Sequence, residues 1–242
     1  MLSKSVVKDI QSLAHKKFRD ERGLFIAEGP KIVEELLGQE FAPVQGVYAL
    51  EAWVERNPKL CASFKVDTVN EIQLAQISQL ATPNEVLVVL KKPTPKPVQT
   101  TNAITLVLCG IQDPGNLGTI IRIADWFGVM QIVCSLDTAD CFNPKVVQST
   151  MGSISRVNVI YEDLDNWLPK QNVELYATVL EGKSINQHDK LKEGIILIGN
   201  ESKGIPASYI QLAKNKITIP AKGKAESLNA AVATGIILSH LI

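Results

Sequence analysis

Apolar residues at positions 6, 7, 10, 13 and 14 recur at helical spacing and predict a helix over residues 3–13. Residues 24–27 read as a short strand. Gly29 and Pro30 then open a helix that runs through Leu37, with Pro30 suited to a first helical turn. Residues 44–50, 62–66 and 85–90 read as strands and residues 71–80 as a helix. This alternation predicts a small layered α/β domain.

Lys91, Lys92, Pro93, Thr94, Pro95, Lys96 and Pro97 interrupt the pattern. Three prolines so close together suit neither a helix nor a central strand. The expected organisation is therefore a domain at 1–91, a Pro-rich linker at 92–102 and a second domain at 103–242.

In the second domain, residues 104–109 form a continuous apolar run, as expected of a strand buried on both faces. A turn at 112–115 follows, then a helix at 116–127, a strand at 131–134 and a helix at 144–151. Further strands are expected at 157–160, 174–179, 195–198 and 216–219. Strands separated by helices imply a parallel sheet. A last helix begins at Ser227. Its apolar residues fall nearly all round, so it is buried, either in its own domain or at a subunit interface.

Composition narrows the class. The chain has 242 residues, 45% apolar, with Lys+Arg and Asp+Glu balanced at 25 each. That excludes a disordered chain. No apolar run approaches the ~20 residues of a membrane span, and residues 1–9 lack the apolar region of a signal peptide. A cytoplasmic protein without membrane attachment is expected. Cys61, Cys109, Cys134 and Cys141 form no C-x-x-C pair, and His15, His188 and His240 are scattered, so neither a disulfide framework nor a metal site is expected. Cys109 and Cys134, in apolar strands, read as core residues. The first 19 residues hold Lys4, Lys8, Lys16, Lys17 and Arg19 against Asp9 alone. Such a helix either contacts phosphate or presents a solvated face.

Three strands of the second domain lead into polar, glycine-containing loops, where α/β proteins bind ligands. The first loop, 110–116, is neither G-x-G-x-x-G nor a P-loop, since Asn116 follows Gly115. On the helix beyond it, Arg122 lies between Ile120, Ile121, Ile123 and Ala124, and its guanidinium suits an anion such as phosphate. The second loop places Gly199 and Gly204 around Glu201. The third runs from Ile219 and Pro220 to Ser227, a plausible helix N-cap, and on to Asn229, a polar amide on an apolar helix that needs partners.

Together these loops resemble the three signature motifs of the SpoU family of RNA ribose 2′-O-methyltransferases, in the SPOUT superfamily. Asn116, Gly118 and Arg122 fit N-x-G-x-x-x-R. Gly199, Asn200, Glu201 and Gly204 fit G-N-E-x-x-G. Ile219, Pro220, Ser227, Leu228 and Asn229 fit I-P-x(6)-S-L-N. The first domain is similar to the L30e-like substrate-binding domain of that family, with Arg19, Gly23, Phe25, Glu28 and Gly29 fitting R-x3-G-x-F-x-x-E-G. The chain departs from the family after S-L-N, where Ala230 and Ala231 replace a common Val-Ser.

The resemblance implies a C-terminal deep trefoil knot, a homodimer and S-adenosylmethionine as methyl donor. Thr178, Gly199, Ile219 and Leu228 would hold the donor. Asn116, Arg122, Glu201, Ser227 and Asn229 would form the catalytic set. The reaction would be in-line displacement by a ribose 2′-oxygen, without metal. Arg122 would be the central residue, reaching the partner subunit's methyl donor; arginine does not deprotonate in proteins, so it would bind the phosphate next to the ribose and stabilise developing charge, held in place by Asn116 and Glu201. The partner would be structured RNA, ribosomal RNA ahead of transfer RNA. Two other classes remain at this point. One is a non-catalytic RNA-binding relative. The other is a dinucleotide-dependent oxidoreductase, which fold class alone suggests.

Overall fold

A computed structural model describes residues 2–242. Met1, the first residue of the expected 1–91 domain, lies outside the described residues. The chain divides into two compact units.

The first unit begins with α1 (Lys4–Ser12), whose N-cap Ser3 accepts from the Val6 amide. Next come α2 (Lys16–Arg22), β1 (Leu24–Glu28), α3 (Pro30–Gly38) and β2 (Val44–Ala49). The chain continues through α4 (Glu51–Arg56), α5 (Pro58–Ser63), β3 (Val66–Thr68), α6 (Glu71–Ile77) and β4 (Val86–Lys91). The four strands form one sheet in the order β1-β4-β2-β3. The strand expected at 62–66 is displaced: Pro58 opens α5, which takes Ala62 and Ser63, and the strand starts at Val66. Helix α6 begins in a capping box between Asn70 and Gln73, which fixes its start.

The second unit contains β5 (Ile104–Cys109), α7 (Pro114–Trp126) and β6 (Gln131–Ser135). Past α8 (Pro144–Thr150), which belongs with the first unit, come β7 (Asn158–Glu162), α9 (Leu164–Trp167), β8 (Leu175–Ser184) and β9 (Gly194–Gly199). The chain closes with α10 (Ala207–Leu212), β10 (Asn215–Thr218) and α11 (Ala230–Leu241). The six strands are parallel, in the order β10-β8-β9-β5-β6-β7. Both alternating sets of β5, Leu106 with Leu108 and Val107 with Cys109, are buried. Burial of both sets explains the unbroken apolar run. Order reverses at β5, whose neighbours are β6 and β9, and ligand sites of α/β sheets form at such a switch point.

Residues Asp140–Ser155, expected within the second domain, belong with the first unit. Two features account for this. Arg19 is buried, and its Nε and Nη2 donate to Asp140 Oδ2 at 2.9 and 2.6 Å. Phe142 lies 4.7 Å, centroid to centroid, from the buried Phe25. Both partners come from the other end of the sequence, so no local pattern reveals them. The boundary also shifts within the Pro-rich stretch, because the second unit starts at Pro95. There Lys96 and Asn158 exchange two hydrogen bonds of 3.0 and 2.9 Å, which fasten this stretch beside β7.

No helix is long and apolar enough to cross a membrane, among the described residues. Cys109, Cys134 and Cys141 are buried and Cys61 is half-buried. Burial, with Asp137 nearby, pushes the Cys109 thiol up to about 12.

Candidate active site

The three motif loops leave the carboxyl ends of β5, β9 and β10. Just past β5, Gly110 adopts φ +71°, a left-handed conformation that favours glycine. Its amide donates to Ser135 Oγ at 2.8 Å and its carbonyl accepts from Asn200 Nδ2 at 2.6 Å. Asn200 thereby fixes the second loop to the first. Its Oδ1 also accepts from the amides of Ser202 and Lys203, at 2.9 and 3.0 Å. The loop folds back so tightly that a Cβ on Gly199 would lie 2.6 Å from the Gly204 carbonyl carbon. Only glycine permits that approach.

Helix α7 starts earlier than expected. Asp113 is its N-cap, accepting from the Asn116 amide at 2.8 Å, and Pro114 takes the first turn. Asn116 is therefore one turn inside the helix, and its side chain is free to bridge. Its Nδ2 donates to Glu201 Oε1, while its Oδ1 accepts from Asn229 Nδ2 at 2.8 Å. Asn229 in turn caps α11, with Oδ1 accepting from Ala231 and Val232 at 2.9 and 3.2 Å. One asparagine thus joins all three motifs. Asn229, rather than Ser227, is the N-cap, and α11 starts at Ala230. An asparagine in that position satisfies two amides at once, which moves the helix start.

The other expected residues lie apart from this bridge. Arg122 is exposed and makes no hydrogen bond or ion pair among the described residues. It follows Asn116 by six residues, which on an α-helix turns it about 120° away. The expected Asn116–Glu201–Arg122 contact therefore does not form within one chain. Ser227 is exposed in the third loop, as is Leu228, while Ile219 is half-buried at its start. Thr178 Oγ1 donates to the Leu197 carbonyl at 2.8 Å, tying β8 to β9.

The sequence pattern missed one feature of this edge. Register between β10 and β8 jumps from Lys216–Ala177 to Ile217–Lys183, so residues 178–182 leave the ladder as an excursion. Exposed Leu180 lies on it. Gly182 lets the strand return: a Cβ there would sit 2.7 Å from the Lys216 carbonyl oxygen. A glycine closing an apolar strand run was the available signal.

The first unit's motif residues have internal partners. Arg19 Nη1 donates to the Leu13 and Ala14 carbonyls at 2.9 Å each, besides its pair with Asp140. Buried Glu28 accepts from Ser78 Oγ at 2.5 Å and from the Gln79 amide at 2.7 Å. Burial nevertheless raises its carboxyl above the ordinary range, outweighing those two bonds. Gly23 and Gly29 take φ +62° and +88°.

Residues 103–239 match the SpoU rRNA methylase family, and residues 4–88 match the MRM3-like substrate-binding domain. A 23S rRNA (guanosine(2553)-2′-O)-methyltransferase, RlmP of Bacillus subtilis, is 32% identical over 239 residues, covering 97% of this chain and 95% of its own. The AdoMet-bound rRNA methyltransferase from Sinorhizobium meliloti is 32% identical with a TM-score of 0.87, over 100% of this chain and 95% of its own. The SpoU methyltransferase AviRb from Streptomyces viridochromogenes shares the fold, with a TM-score of 0.85 at 23% identity over 99% of this chain and 97% of its own. Three motifs joined at the carboxyl edge of a parallel sheet, in a sequence matched from end to end, give the conclusion that this chain belongs to the SpoU family of RNA 2′-O-ribose methyltransferases.

Proposed function

We propose that the chain methylates a ribose 2′-hydroxyl of ribosomal RNA, using the Glu201–Asn116–Asn229 bridge as the frame of its active site. The observation that carries this reading is the convergence of three sequence-distant loops on Asn116. Ribosomal RNA ranks ahead of transfer RNA because the relatives that span nearly the whole chain are named for it.

S-adenosylmethionine supplies a methyl group carried on a positively charged sulfur. The residues present fit it. Residues 220–228 form no backbone–backbone hydrogen bond among the described residues, which leaves N–H and C=O groups for an adenine edge. Leu180 and Leu228 are exposed and apolar. We assign Thr178, Gly199, Ile219 and Leu228 to the cofactor, extended by the excursion at 178–182.

Asn116 and Glu201 orient the target ribose, with Ser227 and Asn229 beneath it. Arg122 binds the adjacent phosphate and stabilises charge developing on the 2′-oxygen. The hydroxyl proton leaves to phosphate or water. Because Arg122 points away from its own chain's bridge, it acts at the site of a second copy. Three exposed apolar side chains support that homodimer: Trp126, one turn beyond Arg122, at 85%, Val232 at 52% and Leu228 at 46%. The deep trefoil knot belongs to this proposal, supported by the match of residues 103–239 to the SpoU family. So does the L30e-like character of the first unit, supported by its helix-flanked four-stranded sheet. A ribosomal substrate suits the cytoplasm.

The test is transfer of labelled methyl from S-adenosylmethionine to unmodified 23S rRNA, 16S rRNA and tRNA, by wild type and Arg122→Ala. Label on a ribose 2′-oxygen of rRNA is expected. Arg122→Ala should retain cofactor binding and lose far more than tenfold in turnover. A variant within tenfold, ~1.4 kcal/mol in the barrier, removes Arg122 from the mechanism.

A further inference from the structure

Cations of the first two helices differ in what they face. Lys16 pairs with Asp20 at 2.6 Å, Lys17 with Glu21 at 3.9 Å, Arg19 with Asp140 at 2.6 Å and Arg22 with Asp9 at 3.0 Å. Their charge is locally neutralised. Lys4 and Lys8 have no ion pair or hydrogen bond among the described residues, and both are exposed. They also share a cavity of about 310 Å³ between α1 and α6, lined by Leu2, Lys4, Val7, Lys8, Gln11 and Gln76. It has no carboxylate in its lining.

Positions 4, 7, 8 and 11 lie on one face of α1, with Lys4 and Lys8 about 6 Å apart along the axis. The opposite requirement, burial, is met by Ile10 and by Leu13 just past the helix. Gln11 Nε2 donates to the Gln76 carbonyl at 2.7 Å, which leaves Gln11 Oε1 and the whole Gln76 side-chain amide for a ligand. Two unpaired ammonium groups, two amides and a small apolar floor fit a polyanion whose backbone carries closely spaced phosphates and whose sugars carry hydroxyls. The amides can both donate to and accept from a 2′-hydroxyl or a base edge.

We propose that the groove between α1 and α6 is a docking site for substrate RNA, with Lys4 and Lys8 on neighbouring phosphates of one strand and Gln11 and Gln76 on its sugar or base edges. This rests on the methyltransferase reading above and locates part of its substrate surface away from the reacting loops. The groove adds affinity and does not take part in the chemical step.

Binding of the full-length protein to unmodified 23S rRNA made by transcription in vitro tests this, measured from 50 to 200 mM salt alongside methyl transfer. Each phosphate contact contributes roughly 0.7–0.9 to the slope of log K against log salt. Lys4→Ala/Lys8→Ala should flatten that slope by about 1.4–1.8. It should raise KM for RNA about tenfold, with unchanged kcat at saturating RNA and unchanged affinity for S-adenosylmethionine. Lys16→Ala/Lys17→Ala, which removes two already paired cations nearby, should leave the slope as in wild type. If the Lys4/Lys8 variant keeps the wild-type slope and KM while wild type methylates normally, the groove assignment falls and the methyltransferase reading stands. If wild type neither binds nor methylates any RNA, both fall. A loss of kcat in the Lys4/Lys8 variant would also overturn the proposal, because it would place the groove in the chemistry.

Discussion

Asn116 connects Glu201 and Asn229, and removing either partner of its bond to Glu201 should have a similar consequence. Asn116→Ala removes the amide that donates to Glu201 and the oxygen that accepts from Asn229. Glu201→Ala removes the acceptor of the first bond and leaves the second in place. A hydrogen bond to a charged group contributes about 1.5–3 kcal/mol when well shielded. Here Glu201 is exposed and Asn116 half-buried, so about 1–2 kcal/mol is the appropriate range. If that positioning is felt only in the transition state, each single variant should lose about 5–30-fold in kcat with little change in affinity for S-adenosylmethionine. The double variant should lose no more than about threefold beyond the worse single one, because the bridge is already broken. The measurement is a double-mutant cycle on single-turnover methyl transfer, with coupling expected at about 1–2 kcal/mol. Costs that simply multiply would mean that the two side chains act independently, and the bridge would then be a bystander.

Two further outcomes concern the first unit. Asp140→Ala leaves the buried Arg19 guanidinium without its counter-charge, which should lower that unit's stability by about 3–5 kcal/mol; denaturant unfolding followed through the buried Trp53 checks this, and a shift below 1 kcal/mol would contradict it. Glu28 has its folded pKa raised above 4.5 by burial, so its protonated form is favoured in the native state. Its contribution is full below pH 4.5 and declines as pH rises through the higher folded value. Stability of wild type relative to Glu28→Gln should therefore fall with pH above about 4.5 and then level off, whereas a difference that grows with pH would reverse the assigned sign.

The parallel sheet was legible because its central strands are buried on both faces and their apolar runs say so directly. The motif loops were legible because close approach demands glycine there, as at Gly199, although the cap expected at Ser227 falls at Asn229. Three things were not. The helix α5 was hidden by a short segment whose apolar residues fit either period. The excursion at 178–182 was hidden because a strand that leaves its ladder keeps a strand-like composition. The transfer of Asp140–Ser155 to the first unit was hidden because Arg19 and Asp140 are 121 residues apart. A buried cation in need of an anion and the Phe25–Phe142 contact tie the segments together.

These partners also change what the N-terminal motif means. Arg19 looks like a candidate for phosphate contact when seen only as a cation of the basic N-terminal segment, and Glu28 is a charged member of the same motif. In the structure both are buried and fully occupied with internal acceptors and donors. Their motif specifies how the unit is built, while the second unit's motifs leave Arg122 and Ser227 exposed and unoccupied. Charge in a motif therefore separates into two kinds. A charge already answered inside its own unit maintains the fold. A charge left unanswered, such as Arg122 on α7 or Lys4 and Lys8 on α1, is available to a partner that brings the opposite sign. For a chain with zero net charge, the proposed RNA contacts rest on that distinction, which composition alone does not draw.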